Sequence, residues 1–472
     1  MSWASLEDVA FEPASFRDPA GRILEKDGRI LRALAADAAA DYTWIRDRGI
    51  LDRLVRSGRL IPTREIDRAD AGLDRPGIVH VLEHERVPFV SYPYEWSFSA
   101  LQAAALLHLD LQLELLAENV ALVDASAYNV QFLGSRPVFI DVLSLRRYEE
   151  GAIWTGHRQF CEQFLNPLLL QALRGIPFNA WYRGAMEGLA GADIAALLGW
   201  RDKLSWRVLM HVVAPARLQR AADSRTVDAA ATVRRRPLSR PALAQILTGL
   251  RNWIARLTPL RAPAGGWATY TDTRTYSDAE SSAKGQFVAE FAGMVRPQLL
   301  ADLGCNTGEY ARVALAAGAR RVIGLEGDPA TADLAFRRAA AESLDLLPLV
   351  MDAADPSPAR GWRSAERRSL ADRASFDGLM ALAFEHHLAI GRNVPLDQVV
   401  DWITGLAPRG VIEFVQKDDP TVQRMLALRE DIFREYTAEA FTGLLARRAR
   451  IVKQQTISAA GRVLFWYQRD ER

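Results

Sequence analysis

The segment Asp302-Leu303-Gly304-Cys305-Asn306-Thr307-Gly308-Glu309-Tyr310 sets a glycine-bracketed turn between a short apolar run, 299–302, and a helical pattern over 310–317. A strand, a tight turn and a helix N-terminus in that order seat a nucleotide-like ligand at the carboxyl edge of a parallel sheet. A dinucleotide fingerprint would read Gly-x-Gly-x-x-Gly, but Asn306 and Glu309 stand at its second and third glycine positions. A carboxylate in the first helical turn repels a pyrophosphate and tolerates a cation such as a sulfonium. The charge argument favours S-adenosyl-L-methionine over NAD.

Further polar groups recur at the expected ends of the following strands. The run 321–326 ends in Glu326, placed to accept two ribose hydroxyls, and Gly327-Asp328-Pro329 turns into the next helix. The run 346–351 leads to Asp352 and Ala353, a carboxylate for an adenine amino group and an amide facing the ring. A fourth strand over 376–383 carries Ala381 near its end and is followed by Phe384-Glu385-His386-His387-Leu388, beside the place of a reactive methyl. Asp377 is counted with the strand-end acids. Any one acid alone is an ordinary turn former, whereas several at the ends of consecutive strands behind a glycine turn point to a ligand site. His386 or His387 is the candidate general base, since imidazole titrates near neutrality. Glu385 and Glu413 are weaker alternatives, and Tyr276 and Lys284, before the first strand, are candidates for a lid.

These residues resemble class I S-adenosylmethionine-dependent methyltransferases over about 276–470. The resemblance implies that Asp302, Gly304, Cys305, Asn306 and Gly308 cradle the methionine part of the cofactor, with Glu326 on the ribose and Asp352, Ala353 and Ala381 completing the site. It implies no metal there. Segments 355–362, 383–390 and 412–420 are similar to a bacterial subgroup related to a rhizobial nodulation protein.

A second constellation lies upstream. Asp124 is followed five positions later by Asn129, and Asp141 ends the apolar run 138–140. That spacing is similar to the protein kinase-like fold, in which the first Asp orients an acceptor hydroxyl and the Asn and second Asp hold magnesium. Segment 87–94 suits a hinge between lobes, with a reduced strand-rich lobe before it. Lysine scarcity weighs against phosphotransfer: the chain has Lys26, Lys203, Lys284, Lys417 and Lys453, and Lys26 sits beside a hairpin turn. No glycine-rich phosphate loop stands there either, although an arginine could replace the lysine. The expectation is a non-catalytic kinase-like domain that presents substrate or binds a nucleotide. Trp154, His157, Gln159, Phe160, Cys161, Phe164 and Trp181 read mostly as core, with a pocket as the alternative.

The elements that must position these groups divide by texture. Residues 16–98 read as strand-rich, with a hairpin at Asp27-Gly28, and residues 99–215 as mostly helical, opening on Ser99 as N-cap of a long helix. An Arg/Ala/Pro-rich passage follows, and a short helix over 241–257 belongs to either side. From 266 strands and helices alternate, with final strands 451–457 and 463–467 expected as an antiparallel hairpin. The fold expected is α/β: a C-terminal doubly wound, mostly parallel, seven-stranded Rossmann-like sheet (266–472), preceded by an α+β kinase-like domain (1–215) and a linker (216–265).

At 472 residues, 49% apolar and 25% charged, the chain has the composition of a multidomain globular protein. A net charge of +1 gives no general attraction to nucleic acid or membrane. The apolar run 100–123 carries His108, Asp110, Glu114 and Glu118, costly in a bilayer, and residues 1–4 open no basic-then-apolar signal segment. Cys161 and Cys305 are far apart and suggest neither a disulfide nor a cysteine metal site. A cytoplasmic enzyme acting on a small molecule or carbohydrate acceptor, without nucleic-acid or membrane partners, is the expectation.

Overall fold

The computed structural model describes residues 11–217, 238–260, 277–427 and 429–470. Segments 221–225 and 234–237 of the expected linker, residues 1–4 and Tyr276 lie outside them. Strands β1 (Gly21–Lys26) and β2 (Arg29–Ala35) pair antiparallel with Lys26 opposite Arg29. Asp27 and Gly28 between them have φ of 53° and 73°, the two left-handed residues a tight hairpin requires. With β3 (Thr63–Ile66) and β4 (Ile78–His84) they form a sheet of order β1-β2-β4-β3, and helices Ala36–Asp47 and Ile50–Arg56 stand between β2 and β3 in the chain.

Helix Phe98–Ala117 follows. It is capped by Ser97, whose side chain accepts from the Ala100 amide, and not by Ser99 as expected. Ser99 lies in the first turn, where its amide donates to Asp333 at 2.7 Å. The helix is long and apolar enough to cross a bilayer by length and composition, but Leu101, Leu109 and Leu116 are buried in the core. Its acids face basic partners instead: Asp110 pairs with Arg251 at 2.9 Å, Glu114 with Arg59 and Glu118 with Arg53. Arg251 belongs to helix Arg240–Ile254, so this short helix packs on the N-terminal side. Two small hairpin-like sheets come next, β5 (Val120–Leu122) with β8 (Leu145–Arg147) and β6 (Val130–Leu133) with β7 (Arg136–Phe139).

The C-terminal half contains β9 (Leu300–Leu303), β10 (Val322–Glu326), β11 (Leu346–Val350), β12 (Gly378–Ala381), β13 (Arg409–Phe414), β14 (Arg450–Thr456) and β15 (Val463–Gln468). Their order is β11-β10-β9-β12-β13-β15-β14. The first five run parallel, and β15 pairs antiparallel with both β13 and β14. Pro348 is tolerated because β11 is an edge strand. Side chains alternate between faces. Leu300, Val322, Met380 and Val411 meet Phe287 and Phe291 of helix Asp278–Val295 on one face. Ala301, Leu303, Ile323, Leu325 and Ile412 meet Phe336, Ile403 and Phe441 on the other, in a core continuous with Leu34, Trp96 and Leu109 of the N-terminal half.

Charge reinforces that joint. Arg373 and Glu95 form an ion pair with side chains 5% and 1% exposed, and a second Arg373 nitrogen donates to the Val90 carbonyl at 2.5 Å. The Arg373 guanidinium lies 4.5 Å from the Tyr92 ring centroid.

Candidate functional site

The turn after β9 depends on left-handed backbone. Gly304 and Gly308 have φ of 68° and 80°. A Cβ at Gly304 would stand 3.0 Å from the Phe384 ring, and one at Gly308 2.9 Å from Leu346. Asn306 adopts φ 49°, the non-glycine type that best tolerates it, and its Oδ1 accepts from the Thr307 amide at 2.7 Å. The Cys305 side chain is buried against β10, where a Cβ on Gly324 would meet its sulfur, so its contribution to a ligand is its backbone. Helix Glu309–Ala317 then begins, with Glu309 in its first turn.

Register aligns the acids along the carboxyl edge. Leu303 stands opposite both Leu325 and Ala381, and Glu326 opposite Val350, two residues before Asp352. Glu326 accepts from the amides of Asn306 at 2.9 Å and Asp328 at 3.0 Å, tying the glycine turn to β10. Burial raises its carboxyl pKa against those amides. Asp302 is 2% exposed, and burial lifts its carboxyl to about 7 despite the nearby Lys284 ammonium, with Glu326 adding to the rise. Asp352 accepts from the Ala354 amide at 2.9 Å and from Arg392 at 2.5 Å, while Ala353 is half-buried beside it. Arg392 crosses from the loop after β12 to close that corner; the sequence reading missed it, since forty residues separate the two.

Asp377 requires a correction. It precedes β12, so it lies at the opposite, amino edge, where it accepts from the Gln298 and Leu299 amides at 2.8 Å each. Lys284 is also not a surface lid residue. It is 2% exposed within helix Asp278–Val295, bonded to Glu413 at 2.7 Å and 4.7 Å from the Tyr310 ring centroid. Arg462 approaches the same Glu413 at 3.5 Å, and the two cations make that carboxylate a structural anchor.

The loop carrying Phe384 lies against the glycine turn and presents the two histidines as a pair with ring centroids 4.1 Å apart. His386 is 1% exposed, and neither ring nitrogen has a hydrogen-bond partner among the described residues; its Nδ1 is 3.7 Å from Glu385. His387 is half-buried, and burial, aided by His386, lowers its pKa to about 3. Glu385 itself is buried, accepting from the Val415 amide at 2.9 Å and the Tyr436 hydroxyl at 2.8 Å.

Upstream, the fold brings Asp124, Asn129 and Asp141 together. The Asn129 amide is 3.5 Å from Asp141 and 3.4 Å from Ser144, whose hydroxyl also bonds Asp141. Arg32 of β2 reaches them, donating to Asp141 and to Asp18 at 2.6 Å each. Burial opposes ionisation of Asp141, but Arg32 and the Ser144 hydroxyl hold its carboxyl below the usual range. Burial, then Asp141, raises that of Asp124. Lys26 points elsewhere, to the Ala71 carbonyl at 3.0 Å. Of the aromatic group downstream, Trp154, Phe160 and Phe164 surround buried His108, and Trp181 is exposed. His157 and Cys161 instead meet His211, a residue the sequence reading left aside. The available signal was the pair's four-residue spacing on one helical face.

No family model matches the chain. Over 457 residues it is 45% identical to the nodulation protein NoeA of Rhizobium meliloti (strain 1021), spanning 97% of this chain and 96% of that one. Among solved structures, the PH0226 protein of Pyrococcus horikoshii OT3 is similar at 15% identity and TM-score 0.32, covering 44% of this chain and 100% of that one. The N-methyltransferase NodS of Bradyrhizobium japonicum WM9, in complex with S-adenosyl-l-homocysteine, is similar at 13% identity and TM-score 0.32, with the same coverage. These structural likenesses are distant.

Proposed function

The chain belongs to the family of the Rhizobium meliloti nodulation protein NoeA, and we propose, from the geometry of its sheet edge, that it transfers a methyl group from S-adenosyl-L-methionine to a small-molecule or carbohydrate acceptor. The observation that carries the reading is the alignment of Glu326, Asp352 and the end of β12 at one sheet edge, behind a turn that only left-handed residues can make. The groups fit the cofactor in kind. The turn at Gly304 and Gly308 holds left-handed backbone packed close on Phe384 and Leu346, Asp302 and Glu326 are carboxyls whose raised pKa values a bound cation would draw back down, and Asp352 with the Ala353 amide suits an adenine. Glu326 uses lone pairs on the Asn306 and Asp328 amides, and a carboxylate has enough left for ribose hydroxyls.

The cofactor, when bound, supplies a methyl already activated by its sulfonium. The chain's task is then alignment, worth on the order of 7–11 kcal/mol for well-oriented groups. His387, the more accessible ring, is the residue we assign to receive the acceptor's proton; in the free protein burial and His386 leave it neutral but weakly basic. The His386 ring packs against it, with centroids 4.1 Å apart. The test is transfer of labelled methyl from S-adenosyl-L-methionine into extracts of the source organism. Label should enter a low-molecular-weight or carbohydrate fraction with the wild type and not with Asp302→Ala; label confined to nucleic acid, or none above background, would contradict the reading.

A second reading concerns the N-terminal part of the chain, residues 1–215. It rests on the meeting of Asp124, Asn129 and Asp141 with Arg32, a strand arginine where a kinase would hold a lysine. We read this unit as a kinase-like, non-catalytic module that binds substrate or nucleotide. Calorimetric titration with magnesium-ATP tests it: binding without phosphate transfer is expected, and turnover of ATP to a phosphorylated product would contradict the non-catalytic assignment.

A further inference from the structure

His157, Cys161 and His211 meet where two π-helical segments pass each other, Cys161–Leu165 and Leu209–Val213. Such widened turns are uncommon and tend to mark functional positions. His157 opens the helical turn His157–Phe160 that leads into the first segment, four residues ahead of Cys161, so both side chains lie on one face. His211 arrives from the other, fifty residues later. The His157 Nε2 is 3.0 Å from the His211 Nδ1 and 3.7 Å from the Cys161 Sγ, and all three donor atoms lie within 4.8 Å of one another.

A tetrahedral zinc with Zn–N of about 2.0–2.1 Å and Zn–S of about 2.3 Å has N–N edges of roughly 3.3 Å and N–S edges of roughly 3.6 Å. The His157–His211 and His157–Cys161 separations, 3.0 and 3.7 Å, lie within a few tenths of an ångström of those edges, and the third is at most 4.8 Å. Hydrogen bonding alone serves it poorly. The single Nε2 of His157 faces both neighbours, and with one proton or one lone pair it has one good bond to offer. A cation shared by all three satisfies every donor atom at once. The surroundings suit a confined ion: Cys161 and His211 are buried, and the Trp154 and Trp253 rings lie 6.3 and 6.2 Å from the His157 and His211 ring centroids.

We propose that His157 Nε2, Cys161 Sγ and His211 Nδ1 bind one zinc ion, with a fourth position for water or another donor. Two imidazoles and a thiolate are borderline-soft ligands that select zinc over calcium or magnesium. Binding converts the Cys161 thiol to thiolate and releases its proton to solvent. The ion staples Leu209–Val213 to Cys161–Leu165 and so fixes the helical part of the N-terminal half. This site is separate from Asp302 and Glu326, and its test does not depend on methyl transfer.

The full-length chain is stripped with chelator and titrated with Co²⁺, a coloured substitute for zinc. A thiolate-to-cobalt charge-transfer band saturating at about one ion per chain is expected, with the band displaced by Zn²⁺. The chain has two cysteines, so Cys161→Ser should abolish the band while Cys305→Ala keeps it. His211→Asn should leave fewer than one bound ion per chain and lower the metal-dependent rise in Tm. Absence of a thiolate band in the wild type, or its survival in Cys161→Ser, would overturn the proposal. Because the wild-type titration decides by itself, a variant that fails to fold does not shelter it.

Discussion

Asp302 is the residue whose chemistry is most exposed to measurement. Burial raises its carboxyl from 3.8 to about 7, so the folded value lies above the unfolded one. In the free protein its contribution to stability is therefore present in full below about 4 and is lost as pH climbs through about 7. Cofactor binding runs the other way, because a cationic ligand favours the ionised carboxylate. Affinity for S-adenosyl-L-methionine should rise about tenfold between pH 6 and 8, as the ionised fraction does. Titration calorimetry across that range checks it, and Asp302→Asn should flatten the dependence. For His387→Phe, the labelled-methyl rate should fall about 10²–10⁴-fold with cofactor affinity unchanged. Asp302, Gly304 and Gly308 were legible in sequence because they are neighbours in the chain. Arg32, Arg392 and His211 were not, since each finds its partners only through long-range folding.

Among the elements, the turn between β9 and helix Glu309–Ala317 positions the proposed cofactor site. A side chain at Gly304 forces a left-handed non-glycine residue, costing about 1–2 kcal/mol, and presses on Phe384. Gly304→Ala should thus weaken the cofactor at least ~10-fold, equivalent to about 1.4 kcal/mol. The same variant should lower Tm by no more than about 2–4 °C, measured by thermal denaturation. A large fall in Tm without loss of affinity would show the turn to be structural only. The alternation of strand and helix is readable over the described residues from 277 onward, as is the closing antiparallel hairpin, because apolar runs bounded by turn residues carry that signal locally. Asp377 was misread for a physical reason. Strand ends are set by pairing, and β12 pairs only from Gly378, which leaves the acid at the wrong edge. The cap at Ser97 escaped likewise, since Ser97 and Ser99 are equivalent in type and only the backbone distinguishes them.

Over the whole molecule the two halves share one core and a buried ion pair, a relation that texture along the chain does not disclose. Arg373→Met leaves Glu95 uncompensated and should cost about 3–5 kcal/mol in chemical denaturation. Adding Glu95→Leu should recover much of that loss. If the halves unfold together, S-adenosyl-L-methionine bound at β9–β12 should also protect the N-terminal half, visible as matching shifts in limited proteolysis of both. All of this turns on whether the sheet edge holds the proposed cofactor. The direct measurement is calorimetric titration of the full chain with S-adenosyl-L-methionine, alongside Glu326→Ala. Saturable binding at about one per chain is expected, weakened at least ~10-fold by the substitution; no binding, or equal affinity in the two proteins, would contradict a cofactor site at this sheet edge.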